Sequence, residues 1–320
     1  MIRVVTIGGG GGHSQVLKGL KAVEDIQITG ICPNTDSGGS TGTLIDDYGA
    51  GGYLGDLTRC IAALCPDAQL SEALLYRYPR GGLYGHSVKN ILLLALEKIA
   101  GPTAGLAAMA KVCNIAPHKV VPVTREHTKL YAKLKIGNNI ESETNIDNLA
   151  QNPLWHPNPH AIKDIRLKPP VAASVEVKRA IGKADWVVIC PGDFYTSIMP
   201  TLLPKGMRES LVKTEARLIL VLNIVNKRGE TDRYSAEDYV GRIEKQIGKR
   251  VDVILANSQN IPAKARATYA LEAKITFKSP HKAKDPRVHI QPFVEVTSDN
   301  TVVHNPLKLT KVFREIFAST

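Results

Sequence analysis

The residues best placed for chemistry are short polar side chains set beside glycines. Five consecutive glycines, Gly8 to Gly12, follow the β-branched run Arg3–Ile7 and precede an apolar stripe at Val16, Leu17, Leu20 and Val23. The order strand, glycine turn, amphipathic helix opens a βαβ unit. Backbone N–H groups bared at such a turn point at an anion held on the helix N-terminus, so Gly9, Gly10, Gly11 and Gly12 are candidate phosphate contacts. The run is neither a full dinucleotide fingerprint, because His13 falls at its third glycine, nor a Walker A loop, because no Gly-Lys-Ser/Thr closes it. A second strand pattern, Ile26–Cys32, leads to Asn34-Thr35-Asp36-Ser37-Gly38-Gly39-Ser40-Thr41-Gly42. Here Asp36, Ser37, Gly38, Gly39 and Ser40 form a second acid-and-amide nest, suited to a ligand with a second anionic group or a sugar.

Other candidates follow later strands. Asp56, in Gly55-Asp56-Leu57-Thr58-Arg59, serves either as a helix N-cap or, with Asp36, as a ligand of Mg²⁺ or of a sugar hydroxyl. His86, Ser87 and Asn90 precede and open the most apolar helix pattern, where a ligand loop or a plain Ser87 cap would both fit. Gly192, Asp193, Tyr195, Thr196 and Ser197 follow the apolar run Trp186–Cys190, and Asn223 ends the run Leu218–Leu222. Most expected strands thus end in small or polar residues on one side of a sheet, where open α/β folds bind ligands. His156 and His160 flank prolines without a CxxC partner and make a poor metal site.

Those side chains need a scaffold, and composition says which kinds are open. The 320 residues are 43% hydrophobic and 22% charged, which excludes bulk disorder. Lys+Arg of 41 against Asp+Glu of 30 leaves +11, a balance that favours anionic partners. Apolar runs such as Ile91–Leu96 fall far short of the roughly 18 residues of a membrane span. No signal-peptide pattern precedes Arg3–Ile7, and five scattered cysteines form no framework, so a cytoplasmic protein is expected. The basic stretch Lys264–Arg287 lacks aromatic interleaving, which makes nucleic acid an unfavoured partner.

The continuous apolar runs Trp186–Cys190, Leu218–Leu222 and Val251–Leu255 read as strands covered on both faces. Helices are expected over Asp56–Leu64, Ser87–Ile99 and Ser235–Ile247, with Ser235 as N-cap, and a short strand over Lys119–Val123. Residues 125–147 suggest a strand pair turning at Gly137-Asn138-Asn139, and the five prolines of 152–170 a surface excursion. The fold class is therefore α/β: a Rossmann-like three-layer α/β/α domain spanning 1–320, its sheet mainly parallel, with a small insertion near 125–170.

Together these blocks resemble the gluconeogenesis factor (YvcK) family, within the superfamily of the 2-phospho-L-lactate transferase CofD. The family opens on Gly-Gly-Gly-Thr-Gly, matched by Gly8 to Gly12 with Gly11 in place of the Thr. Its Asp-Asp-Gly-Gly-Ser-Ser-Gly stretch is similar to Thr35–Gly42, and its Pro-Gly-Asp-Ile-Arg segment to Leu54–Arg59. Gly-His-Ser-Leu-Gly-Asn corresponds to Gly85–Asn90, with Lys89 replacing a glycine. Cys190–Ser197, Asn223 and Gly229-Glu230-Thr231 match the remaining motifs, so the likeness spans roughly residues 3 to 260. The resemblance implies a bound nucleotide ligand. On the YvcK side that means UDP-sugar binding with a role in carbon metabolism and cell shape. On the CofD side it means transfer of a phospholactyl-type group to a deazaflavin, with Mg²⁺ and a guanine nucleotide. The Asp36 loop and Gly85–Asn90 place the chain nearer the YvcK side. Turnover and oligomeric state, a homodimer included, stay open at this point.

Overall fold

The structure is a computed structural model, and it describes residues 1–151, 162–232, 234–266, 284–298 and 300–319. In chain order, β1 (Ile2–Ile7), α1 (Gly10–Lys21) and β2 (Ile26–Cys32) come first. Helices α2 (Gly39–Tyr48), α3 (Leu54–Leu64), α4 (Ala68–Leu75), α5 (Val88–Ala100) and α6 (Pro102–Val112) then lead to β3 (Lys119–Pro122). An insertion follows, with β4 (Lys129–Leu134), β5 (Asn139–Glu141), α7 (Glu143–Asp147) and β6 (Ile162–Lys168). Next come α8 (Val175–Lys183), β7 (Trp186–Ile189), α9 (Met199–Leu202), α10 (Met207–Lys213) and β8 (Arg217–Val221). The last part holds α11 (Ala236–Ile247), β9 (Val253–Asn257), α12 (Ala263–Arg266), β10 (Val288–Gln291), β11 (Val294–Val296), β12 (Val302–His304) and α13 (Pro306–Ala318).

Seven strands form one sheet in the order β10-β9-β8-β7-β1-β2-β3, and every neighbouring pair is parallel. Parallel strands need covered faces, and side chains alternate across them. Val5, Ile7, Val187, Ile189, Leu218 and Leu220 enter one core with α8, α10, α11 and the insertion. Val4, Trp186, Val188, Ile219 and Val221 enter the other with α1, α3 and α13. The result is the expected three-layer Rossmann-like α/β/α sandwich. From β1 the chain winds outward through β2 to β3, and from β7 in the opposite direction through β8 to β10. The switch of direction between β1 and β7 opens a crevice at the strands' carboxyl ends.

The insertion is a three-stranded antiparallel sheet, β5-β4-β6. The expected excursion over 152–170 is corrected in part, since Ile162–Lys168 is a strand, while 152–161, with His156 and His160, lie outside the described residues. Helix α5 is not buried all round: Leu93 and Leu94 are covered, but Ile99 is 85% exposed. On the far face α13 seals α1, with Thr310 Oγ1 donating to Gly19 O at 2.8 Å across 291 residues. Among the described residues no helix is long and apolar enough to cross a membrane. Most of Lys264–Arg287 lies outside the described residues.

Candidate functional site

Gly10, at φ 68°, is in the left-handed region that turns β1 sharply into α1. Its amide donates to Asp56 Oδ1 at 2.7 Å. The amides of Gly11 and Gly12, in the first turn of α1, have no partner among the described residues. Both glycines line a cleft of about 380 Å³ at the β1/β7 crevice, together with Pro191, Gly192, Asp193, Asn223, Lys227 and His304. Unmatched N–H groups and the positive end of the helix favour an anion there.

The second glycine turn is the start of a helix, not a free loop. Gly38 caps α2, and its amide donates to Asp36 Oδ1 at 3.0 Å. Sequence patterning missed this helix because Gly39–Thr43 are poor helix formers. Asp56 lies in the first turn of α3 but does not cap it: the N-cap is Tyr53. Asp56 instead reaches across to the first glycine turn, so Asp36 and Asp56 become neighbours between the two glycine turns. Burial and the nearby Asp36 push Asp56 up to about 6.

Beyond them lies a polar knot. Lys89 is buried and donates to Gly55 O at 3.0 Å, Thr58 Oγ1 at 2.9 Å and Asn90 Oδ1 at 2.8 Å. Burial and Arg59 lower its ammonium to about 7. Asn90 Nδ2 donates to Ser40 Oγ at 3.3 Å, and Ser40 Oγ is 3.1 Å from His86 Nδ1. Asn90, Ser40 and His86 thus brace the α2 turn. Ser87 sits at the N-cap of α5, but its buried hydroxyl makes no cap bond and has no partner among the described residues.

The insertion closes on this rim. Thr144 N donates to Ser37 Oγ at 3.2 Å, and the two hydroxyls are 3.0 Å apart. Ser37 is therefore committed to α7. The neighbouring Glu143 is pushed up to about 8 by burial and by Asp36. Between the insertion and the β2 loop is a cavity of about 170 Å³ lined by Asn34, Thr35, Asp36 and His127. Asn34 Oδ1 and Thr35 Oγ1 are buried there without a partner among the described residues.

On the β7 side several expected ligand contacts also make internal bonds. Asn223 clamps the turn: its Oδ1 accepts from Gly192 N at 3.1 Å and its Nδ2 donates to Gly192 O at 2.6 Å. Tyr195 is buried against Phe194, and its hydroxyl is 2.8 Å from that of Tyr234. Thr196 Oγ1 donates to Glu230 Oε1 at 3.0 Å, and Tyr195 N to Glu230 Oε2 at 2.8 Å. Ser197 stays half-buried, near Gly10. Asp147, Asp193 and Glu230 converge with oxygens inside 4.8 Å of one another. Lys227 Nζ lies 3.1 Å from Asp147 and 3.6 Å from Asp193, so an ammonium already supplies positive charge to that cluster. Burial drives Glu230 well above the usual carboxylate range.

The structure therefore gathers Gly11, Gly12, Gly192 and Asp193 on the cleft, and Asp36 with Asp56 beside it. Ser37, Ser40, Asn90, Tyr195, Thr196 and Asn223 make bracing hydrogen bonds, Asn223 while also lining the cleft. Sequence reading missed Lys227, Asp147, Glu143 and Arg59. Arg59 closes the Gly55–Arg59 motif and Lys227 stands two positions before Gly229-Glu230-Thr231, whereas Glu143 and Asp147 lie near no recognised motif.

A doubly wound sheet with an amide-lined cleft at its switch point places the protein in the Rossmann-like three-layer α/β class. The profile of the family described as 2-phospho-L-lactate transferase CofD matches residues 4–295, and the chain belongs to that family. It is 33% identical to a gluconeogenesis factor of Halalkalibacterium halodurans, over 98% of this chain and 95% of that one. It is 32% identical to the gluconeogenesis factor of Bacillus subtilis, over 85% and 83% of the two chains. A crystal structure of a member of the UPF0052 family from Bacillus halodurans superposes with a TM-score of 0.86 at 31% identity, covering 98% of this chain and 99% of that one.

Proposed function

We propose that the protein binds a nucleotide sugar of the UDP-sugar type in the β1/β7 cleft and acts as a cytoplasmic regulator tied to carbon metabolism and cell shape. One observation carries the reading: Gly11 and Gly12, whose amides have no partner among the described residues, line the same cleft as Lys227. A diphosphate would take the amides at the head of α1 and the ammonium opposite, while hydroxyls of the sugar would meet the polar rim. The name shared by the curated relatives supports the link to carbon metabolism. Calorimetric titration with UDP-sugars tests the reading. Saturable heat that weakens on Lys227→Ala is expected; no heat at millimolar ligand with intact folding would overturn it.

Asp36 and Asp56 favour a second reading, a Mg²⁺-dependent transferase of the CofD type. Two carboxylates brought together, one of them with its pKa raised beside the other, are hard oxygen donors that a divalent cation would relieve. They would hold Mg²⁺, and the ion would neutralise charge on a transferring phosphoryl group. Product formed from a nucleotide-activated phospho-acid, and lost in Asp56→Asn, would favour this reading over the regulator.

A further inference from the structure

Directly beneath the first glycine turn, three side chains from three elements meet out of reach of solvent: His13 of α1, Cys32 at the end of β2 and Cys60 of α3. Cys32 Sγ is 3.5 Å from Cys60 Sγ, and Cys60 Sγ is 3.5 Å from His13 Nδ1. Gly8 O lies 2.8 Å from the same nitrogen. We propose that His13, Cys32 and Cys60 bind a zinc ion, with the Gly8 carbonyl as fourth donor.

The spacing carries the argument. A tetrahedral zinc with bonds of about 2.3 Å to sulfur and about 2.0 Å to nitrogen sets its sulfurs about 3.7 Å apart, and sulfur and nitrogen about 3.5 Å apart. The Cys32–Cys60 and Cys60–His13 separations lie within about 0.2 Å of these, all three side-chain donors fall inside 4.8 Å of one another, and Gly8 O would have to move about 0.5 Å from Nδ1 to join them. The histidine carries a suitable outer partner. Without metal, Nδ1–H donates to Gly8 O at 2.8 Å; when the ion takes that proton's place, the proton would sit on Nε2, which would then donate to Thr6 Oγ1 2.8 Å away.

Charge favours zinc among thiophilic ions. Two thiols give up their protons to solvent, and two thiolates with a neutral imidazole then balance Zn²⁺, so no net charge is buried. The cuprous ion with the same ligands would leave a buried negative charge. A simple disulfide would use two of these groups and leave the third unexplained. The ion would tie β2, α1 and α3 to the carbonyl that opens the glycine turn. It would lock the turn from below without touching a ligand above.

The full chain, purified without a polyhistidine tag and with its thiols reduced, tests this. About one zinc per chain should survive dialysis by mass-spectrometric metal analysis. Refolding with cobalt should give the visible bands of a tetrahedral ion and a near-ultraviolet sulfur-to-cobalt band. Cys32→Ala and Cys60→Ala should each lose the metal at least tenfold, by the loss of a thiolate ligand, to about a tenth of an equivalent. Cys113→Ala, whose thiol is buried elsewhere, should keep it. The wild-type cobalt spectrum reports thiolate ligation even where a variant fails to fold. Reduced protein that takes up neither ion, a Cys32–Cys60 disulfide in the purified chain, or zinc retained by Cys32→Ala would each overturn the proposal.

Discussion

After β1 the chain turns through Gly8–Gly12, where a Cβ on Gly9 would strike Asp56 and one on Gly12 would strike the carbonyl of Pro191. After β2 it turns through Gly38 and Gly39, where a Cβ on Gly39 would meet nothing within 4 Å. Both turns start helices and both hold a carboxylate against an amide, Asp56 on Gly10 and Asp36 on Gly38. The first is glycine-rich because other elements crowd it, and its answering acid comes from a distant helix. The second has space around Gly39, needs glycine there for φ 46°, and supplies its own acid. Similar strings of glycine thus record close packing at Gly9 and Gly12 but backbone conformation alone at Gly39.

Substitutions can break that contrast. Gly12→Ala should be the most damaging, because the new methyl meets main chain that cannot step aside. We expect a loss of about 3 kcal/mol or more, read from denaturant unfolding. Glu143→Gln probes how the insertion loads the second turn. Folding raises this carboxyl from 4.5 to about 8, so the folded chain keeps a proton that the unfolded chain releases, and stability falls as pH rises across that window. The glutamine should therefore be more stable than the parent by roughly 1–3 kcal/mol above pH 8, with the gain vanishing near pH 4. Equal stability at both ends would mean that the second turn carries no such load.

Gly39→Ala should cost about 1 kcal/mol from its left-handed backbone alone, visible as a small drop in Tm. Gly11→Ala should be nearly silent, within roughly 0.5 kcal/mol, because its nearest neighbour is the end of the Arg59 side chain at 3.7 Å. A large loss at Gly11, or a silent Gly12, would show that crowding does not govern the first turn.

The sheet was readable because its strands are continuous apolar runs, and Ile26–Cys32 matches β2 residue for residue. Ser235 was readable as a cap, and it forms a full capping box with Asp238. Where a polar side chain points was not readable. Asn223 ends a strand as a ligand residue would, yet both ends of its amide hold Gly192. Tyr195 sits in a motif, yet its ring packs on Phe194 and its hydroxyl meets that of Tyr234. Glu143 and Asp147 reach the rim from an insertion about a hundred residues beyond Asp36. Only the fold brings them together, and no spacing along the chain announces such a meeting.

The clasp between α1 and α13 has a consequence for synthesis. Gly19 has no side chain where Leu309 lies against it, and Arg314 donates to Ala22 O at 2.7 Å. On the ribosome the first helix is made early, but its outer surface waits for a partner translated almost three hundred residues later. Until then, apolar surface beside the glycine turn stays uncovered in the nascent chain, which gives chaperones a reason to hold it.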